Sequence, residues 1–478
     1  MPIPSGGLIS KYDLLDPACY PGSGTTISDL VGSLDLTTTG SPTYDSTFGC
    51  LTWNANGVGA YSSLGSYANI TSTFTISLWI RINDATVSQL IFNNGNRAGS
   101  MSGYSSFYDG SGSDLIDFGG NNVWGMASAS SLSQDKWYNL TYTLDSGANQ
   151  GKIYINGVLS STSSNGVGNA YDVNAFLALG GYGSSTGSPT LDNKASYAVV
   201  LIYNTTLNAT QVGDIYNTYF SRFNPGKVYL NASEPASASS PYTTWNDLSN
   251  SYDFTMYSPS FTAATSSTPA YYSFPSRNFG DALTVYGEYN GTPAVTSTNN
   301  FTGYFWVRRN ANHGSFTQNR LSIFANGRED LVGGDNGWSY GTYNNPNAAN
   351  DNVVIERAGF GIIDSGYSFA NATWINIAIT VDGSNTVTFY QDGNILGGPG
   401  FSFSATTPAD GMWISRTAGS FFSWMGDISI IRQYDFALTQ AQIQELYNYD
   451  LATYISPSPP PAPAGLVGGR TFGQGFAG

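Results

Sequence analysis

Charged side chains are scarce in this sequence. They make up 10% of its 478 residues, against roughly 25% in an ordinary soluble protein. There is one histidine, His313, and there are two cysteines and five glutamates: Glu234, Glu288, Glu329, Glu356 and Glu445. The first 233 residues hold neither glutamate nor histidine. No histidine-based triad, histidine zinc site or glutamate-pair glycosidase can be assembled from that half alone. Basic residues are few as well. Seventeen Lys and Arg against 32 acids leave a net charge of −15 and a pI near 4.2, which argues against nucleic acid or an anionic membrane as a partner. No apolar run reaches the roughly 18 residues of a membrane span. The start, Met1-Pro-Ile-Pro-Ser-Gly-Gly7, lacks the basic and apolar regions of a signal peptide.

Cys19 and Cys50 are the only cysteines. They read either as one disulfide tying the N-terminal segment to a nearby strand or as two buried thiols, since two cysteines alone make no metal motif. What the chain has instead is Gly (56), Tyr (33) and Phe (26), with abundant Ser, Thr and Asn. Strand formers separated by turn formers describe an all-β protein.

The second half repeats the first. Asp29-Leu30 returns as Asp247-Leu248, Phe74 to Arg81 as Phe301 to Arg308, and Ile91-Phe-Asn-Asn94 as Ile323-Phe-Ala-Asn326. Trp137 to Asp145 returns as Trp374 to Asp382, and Tyr203…Tyr216-Asn217 as Tyr434…Tyr447-Asn448. The offsets are 218, 227, 232, 237 and 231, a period far beyond the roughly 20–50 residues of solenoid repeats, so whole domains are duplicated. Trp137–Asp145 alternates as a strand with one buried face should. Asn156-Gly157 and Asp392-Gly393 are the residue pairs that type I′ hairpin turns prefer. Thr439-Gln-Ala-Gln442 forms a capping box ahead of a short helix, and Asn208-Ala-Thr-Gln211 is a weaker version. The divisions are a first domain at 1–223, a second at 224–455, a Pro-rich linker at 456–463 and a Gly/Phe-rich tail at 464–478. By charge the first domain is −7 and the remainder −8.

This motif series resembles the laminin-G-like, concanavalin A-like jelly-roll family, with Trp79/Trp306, Trp137/Trp374 and the hairpin and helix segments above as the matching positions. The resemblance implies two tandem antiparallel β-sandwich jelly rolls, each closing with a short helix. It also implies binding of carbohydrate or protein, since some members are modules of surface or virion proteins. The opening Cys19-Tyr-Pro-Gly-Ser-Gly24 is most similar to copies in phage and large-virus structural proteins.

Candidate sites follow from chemistry. No catalytic residues are assigned: Asp114 and Asp117 could in principle act as acid and base, but three apart on a strand they face opposite sides. Calcium, the one cofactor considered, would take hard oxygen ligands from Asp114, Asp117, Asn121 and Asn122 or from Asp335, Asn336 and Asp351. Turn formation is the favoured reading of those residues, since no fixed-spacing calcium loop is present. Glycan binding would use aromatic rings beside polar groups, which points to Trp124 with Asn121 and Asn122, and to Asp335, Asn336, Trp338 and Tyr340. The alternative there is core packing. His313 reads as an exposed loop residue. In the tail, Arg470, Phe472 and Phe476 suit docking by strand addition to another protein. The expectation is a non-enzymatic structural protein of a virion or extracellular surface, partnered by other proteins of an assembly or by itself. A glycan-binding lectin is the alternative.

Overall fold

Strand-forming runs broken by tight Asn-Gly and Asp-Gly turns fold both halves into antiparallel sheets. The computed structural model describes residues 3–452 apart from 47, 57, 63–69, 71–72, 97–101, 111–113, 121–123, 164–176, 183–189, 225, 250–251, 266–267, 275–284, 311–319, 328–336, 345–350, 358–360, 369, 371, 397–402, 404–406, 409–410 and 417–423. The Pro-rich linker and the tail with Arg470, Phe472 and Phe476 lie outside the described residues, as does His313. Two units divide the chain, Met1–Asn224 and Pro225–Gly478.

In the first unit one sheet contains β1 (Leu8–Asp13), β4 (Thr43–Asp45), β5 (Cys50–Thr52), β7 (Thr73–Ile82), β12 (Trp137–Asp145), β13 (Gln150–Ile155), β14 (Val158–Ser163) and β16 (Ala195–Tyr203). Its order is β14-β13-β12-β7-β16-β5-β4, with β1 also on β16. The other sheet contains β2 (Thr26–Ile27), β3 (Leu36–Thr39), β6 (Gly59–Tyr61), β8 (Gln89–Asn96), β9 (Ser102–Tyr108), β10 (Ile116–Gly120), β11 (Trp124–Ala127) and β15 (Leu177–Leu179). Its order is β11-β10-β9-β8-β15-β6-β3-β2. A small three-stranded sheet of Ala55–Asn56, Gly181–Tyr182 and Thr190–Asn193 flanks them.

The second unit has β17 (Val228–Asn231), β20 (Ser260–Thr262), β21 (Tyr271–Phe274), β23 (Phe301–Arg309), β28 (Trp374–Val381), β29 (Val387–Gln391), β30 (Asn394–Ile395) and β32 (Gly426–Tyr434) in one sheet. The other holds β18 (Thr244–Trp245), β19 (Phe254–Tyr257), β22 (Tyr286–Tyr289), β24 (Arg320–Asn326), β25 (Trp338–Asn344), β26 (Asp351–Arg357), β27 (Gly361–Ser368) and β31 (Met412–Ile414). Each strand of the first unit's two eight-stranded sheets has its counterpart sixteen labels on, in the same place in the same sheet; the small flanking sheet has none among the described residues. The duplication read from the sequence is a duplication of topology.

In each unit the core lies between the two sheets. Ile76, Leu78 and Ile80 meet Phe92, Tyr104 and Phe118 in the first; Phe305, Ile377 and Ile379 meet Phe324, Tyr340 and Ile355 in the second. The outer face of the first-described sheet in each unit is also buried, because a C-terminal helix lies on it. In the first unit that helix is α1 (Ala209–Thr218), followed by the single turn α2 (Phe220–Phe223); in the second it is α3 (Gln440–Asp450). Trp79 stacks on Tyr216 at 5.6 Å and on Phe223 at 4.4 Å, and Trp306 stacks on Tyr447 at 5.5 Å. Hence Trp137–Asp145 does not have one buried face and one wet face, as its alternation suggests. Both are covered. Trp374 is only half-buried, against Tyr271 and Arg308.

Local expectations hold. Asn208 and Thr439 both form complete capping boxes with Gln211 and Gln442. Asn156-Gly157 and Asp392-Gly393 take positive φ at both positions. The turn is locked the same way twice: the Asn156 carboxamide accepts from the Asn139 amide, and the Asp392 carboxylate from that of Asn376, each at 2.9 Å.

Candidate functional site

Trp338 and Tyr340 are not available to a ligand. Both are fully buried on the core side of β25, with Trp338 stacked at 4.0 Å on Phe301 and its Nε1 donating to the Tyr340 hydroxyl at 2.8 Å. Gly303 on β23 leaves room for the Tyr340 ring, since a Cβ there would stand 2.6 Å from its Cζ. A ring with neither face open cannot stack on a sugar, so the glycan reading of these two residues is corrected to core. The side chain of Trp124 at the start of β11 lies outside the described residues, as do Asn121, Asn122, Asp335, Asn336 and the side chain of Asp351.

Asp114 and Asp117 do not converge. Asp114 accepts from the Tyr108 hydroxyl at 2.8 Å, while Asp117 is exposed on β10 opposite Phe107 and Ala127. Among the described residues no three His, Cys, Asp or Glu side chains gather as a metal cluster. The disulfide reading is also corrected, because Cys19 and Cys50 are both free thiols. Cys19 sits in the core between the sheets and Cys50 in the layer beneath the helix, so a sheet separates them. Burial pushes the thiols up to about 12 for Cys19 and about 11 for Cys50. The repeated aspartates, Asp29 and Asp247, prove to be loop ties: their carboxylates accept the backbone amides of Lys11 and Val31, and of Tyr229 and Ser249, respectively.

The cluster that does face outward lies on the second unit's helix-free sheet. Strand pairing sets up a row across it: Thr255, Glu288, Trp413, Ala325, Ser339 and Glu356, one from each of β19, β22, β31, β24, β25 and β26. The phase is outward because the residues between, such as Gly287 and Ile414, point at the core. One step along the strands, Tyr257 pairs with Tyr286. Their rings stack at 4.4 Å and 18°, and the Arg416 guanidinium lies 4.4 Å from the Tyr286 ring on the same face. Trp413 Nε1 donates to Glu288 Oε1 at 3.2 Å. The Glu288 carboxylate beside Tyr257 also pushes that hydroxyl above the ordinary tyrosine range.

Access is uneven along the row. Trp413, Ser339 and Glu356 expose 6%, 5% and 6%. Tyr257 exposes 38%, Thr255 is open, and Tyr286, Glu288 and Arg416 are half-buried. Solvent therefore reaches the face at its β19–β22 end, over two stacked phenol rings flanked by a carboxylate and a guanidinium.

The same positions in the first unit carry none of this chemistry. Pairing there aligns Thr37, Tyr61, Ala178, Asn93, Ser105 and Gly119, with Thr39 opposite Gly59 in the next row. Thr39 and Gly59 thus stand where the second unit has Tyr257 and Tyr286; Tyr61 and Ala178 stand for Glu288 and Trp413; Gly181 stands for Arg416. Sequence reasoning missed this cluster because the side chains are scattered over three strands. The signal that could have found them was the difference between the two copies.

The profile of a laminin G family of the concanavalin A-like lectin/glucanases superfamily matches residues 56–213 and 284–444. No curated protein matches the chain in sequence. Among solved structures, a Trypanosoma rangeli sialidase mutant with trans-sialidase activity is 19% identical with a TM-score of 0.37, over 45% of this chain and 33% of that one. The chain therefore spans about a third of that sialidase's length. Domain 4 of an extracellular arabinanase from Geobacillus stearothermophilus, in complex with arabinotriose, is 19% identical with a TM-score of 0.34, over 44% of this chain and 98% of that domain. A Ruminococcus gnavus sialidase carbohydrate-binding module bound to sialyllactose is 12% identical with a TM-score of 0.30, over 35% and 96%. Likeness this distant says nothing about what the chain binds. The duplicated sandwich and the two profile matches together place the chain in the concanavalin A-like lectin/glucanase superfamily, as two tandem copies.

Proposed function

We propose that this chain is a non-enzymatic carbohydrate-binding protein of a virion or extracellular surface, and that its second jelly roll holds the sugar at the Tyr257–Tyr286–Glu288 face. The observation that supports this reading is the solvent-reached aromatic pair beside a carboxylate, at positions where the first unit has Thr39, Gly59 and Tyr61. A sugar ring presents an apolar face that covers an aromatic ring, and hydroxyls that need charged or polar partners. Tyr257 supplies the first and Glu288 the second.

Binding without hydrolysis fits the spacing. Glu288 and Glu356 are four strands apart on one row, about 19 Å at roughly 4.8 Å per strand. Paired glycosidase carboxylates stand about 5–10 Å apart. The role in a larger assembly rests on the tail at 464–478, outside the described residues, so glycan binding leads.

The test is a glycan array probed with the full chain and with Tyr257→Ala, each with calcium and with a chelator. Binding that survives chelation and is lost in Tyr257→Ala supports the site. An array blank for the wild type removes the reading, and hits lost on chelation would move the sugar to a calcium site.

A further inference from the structure

Three arginines of the described structure are paired with aspartates: Arg222 with Asp13, Arg308 with Asp427 and Arg432 with Asp450. Arg81 has no such partner but donates to the Ser196 hydroxyl over the Trp137 ring. Arg416 also lacks an aspartate partner. It forms no ion pair among the described residues, and its Nε is buried without an acceptor. It lies against the face of Tyr286 and close enough to Tyr257 to act on its hydroxyl electrostatically. Stacking there fixes the plane of the guanidinium and leaves the edge of its fork free, the arrangement that suits bidentate capture of an anionic group.

We propose that Arg416 is an anion subsite of the saccharide face, so that the ligand is a sugar bearing a carboxylate or a sulfate ester. The inference rests on the carbohydrate reading above and deepens it. The site is bipolar. Tyr286 and Glu288 are two residues apart on β22, about 7 Å along the strand, so the face carries a cation at one end and a carboxylate at the other. A ligand covering Tyr257 is oriented by this pair: its anionic group turns to Arg416, and its hydroxyls turn to Glu288, which would repel the reverse pose. The surrounding negative field disfavours anions at long range. Capture must then be local and depend on the guanidinium itself. The first unit has Gly181 at this position and no such subsite.

The experiment uses the full chain on an array carrying neutral, uronate-containing and sulfated galactose-based oligosaccharides. Wild type is compared with Arg416→Gln, Arg416→Lys and Tyr257→Ala, and thermal melting confirms that each variant is folded. The expected result is preference for an anionic class. That preference should drop by roughly tenfold or more in Arg416→Gln, as removing a charge-assisted hydrogen bond does, and be partly kept in Arg416→Lys, which retains the charge but not the fork. Whether the uronates or the sulfated sugars respond identifies the group. Hits among neutral sugars alone, lost in Tyr257→Ala, would overturn the anion subsite and leave the saccharide face standing. Anionic hits indifferent to Arg416→Gln would overturn it as well. A blank array would overturn both.

Discussion

The second unit buries an ion pair that the first lacks, and removing one partner should cost more than replacing both. Arg432 Nη2 stands 2.6 Å from Asp450 Oδ1, with side-chain exposures of 1% and 0%. The guanidinium lies 4.0 Å from the ring of Tyr229. The pair fastens the last turn of α3 to β32, and the equivalent residues in the first unit are Leu201 and Tyr219, both buried. Asp450→Asn leaves a buried guanidinium without its counter-charge, at a cost of about 3–5 kcal/mol. With a urea m-value of roughly 3 kcal/mol/M for a domain of this size, the unfolding midpoint should fall by about 1–1.7 M. The double substitution Arg432→Leu with Asp450→Tyr installs the first unit's solution and should lie within about 1 kcal/mol of the wild type or above it. Full-chain urea unfolding can separate the units, because tryptophans report on both whereas the Cys19 and Cys50 thiols report on the first alone. The fluorescence transition should move while the thiol-exposure curve stays in place. A midpoint shift below about 0.3 M for Asp450→Asn, or a double variant as weak as the single, would refute the reasoning.

Other outcomes follow from the same packing. In native buffer without reductant neither thiol should react with a disulfide reagent, and in denaturant both should; none in denaturant would revive the disulfide. Because both thiol pKa values are raised in the folded state, the protonated forms stabilise it. That stability is complete below about pH 8.5 and is lost as pH climbs towards the folded values of about 11 and 12. By pH 11 the loss should amount to roughly 2–3 kcal/mol per thiol, visible as an alkaline drop in the first unit's urea midpoint that Cys→Ser variants reduce. Trp338→Ala should destabilise the second unit by about 3–5 kcal/mol, whereas Tyr257→Ala should lose only its ring stacking on Tyr286 and leave the unit folded. Gly303→Ala should cost about 1–3 kcal/mol by driving a methyl into the Tyr340 ring, again read by urea unfolding.

Much of the fold was legible because it rests on local chemistry written twice. The Asn156-Gly157 and Asp392-Gly393 turns need positive φ, Asn208 and Thr439 need to cap, and the matching order of the motifs in both halves exposes the duplication. Burial on the helix-covered sheet was not legible. A strand such as Thr73–Ile82, with apolar residues on both faces, looks like any buried strand until the helix that covers Trp79 is in place. The site was hidden for a related reason. Period-2 alternation says that Trp338 and Ser339 face opposite ways, but not which way is in; the same is true of Trp413 and Ile414. On β25 the tryptophan takes the inner phase, over Phe301, and on β31 the outer phase, beside Glu288. Only pairing across strands from different parts of the chain decides this. Once it does, the five positions at which one copy has Thr39, Gly59, Tyr61, Ala178 and Gly181 and the other has Tyr257, Tyr286, Glu288, Trp413 and Arg416 stand out.

The central claim is that one scaffold was duplicated and that, among the described residues, the second copy carries the proposed sugar face. Its most direct test is the binding stoichiometry of the strongest array ligand, titrated calorimetrically into the full chain. The account predicts one sugar per chain and none for Tyr257→Ala. Two equivalent sites per chain, or undiminished binding by that variant, would contradict it.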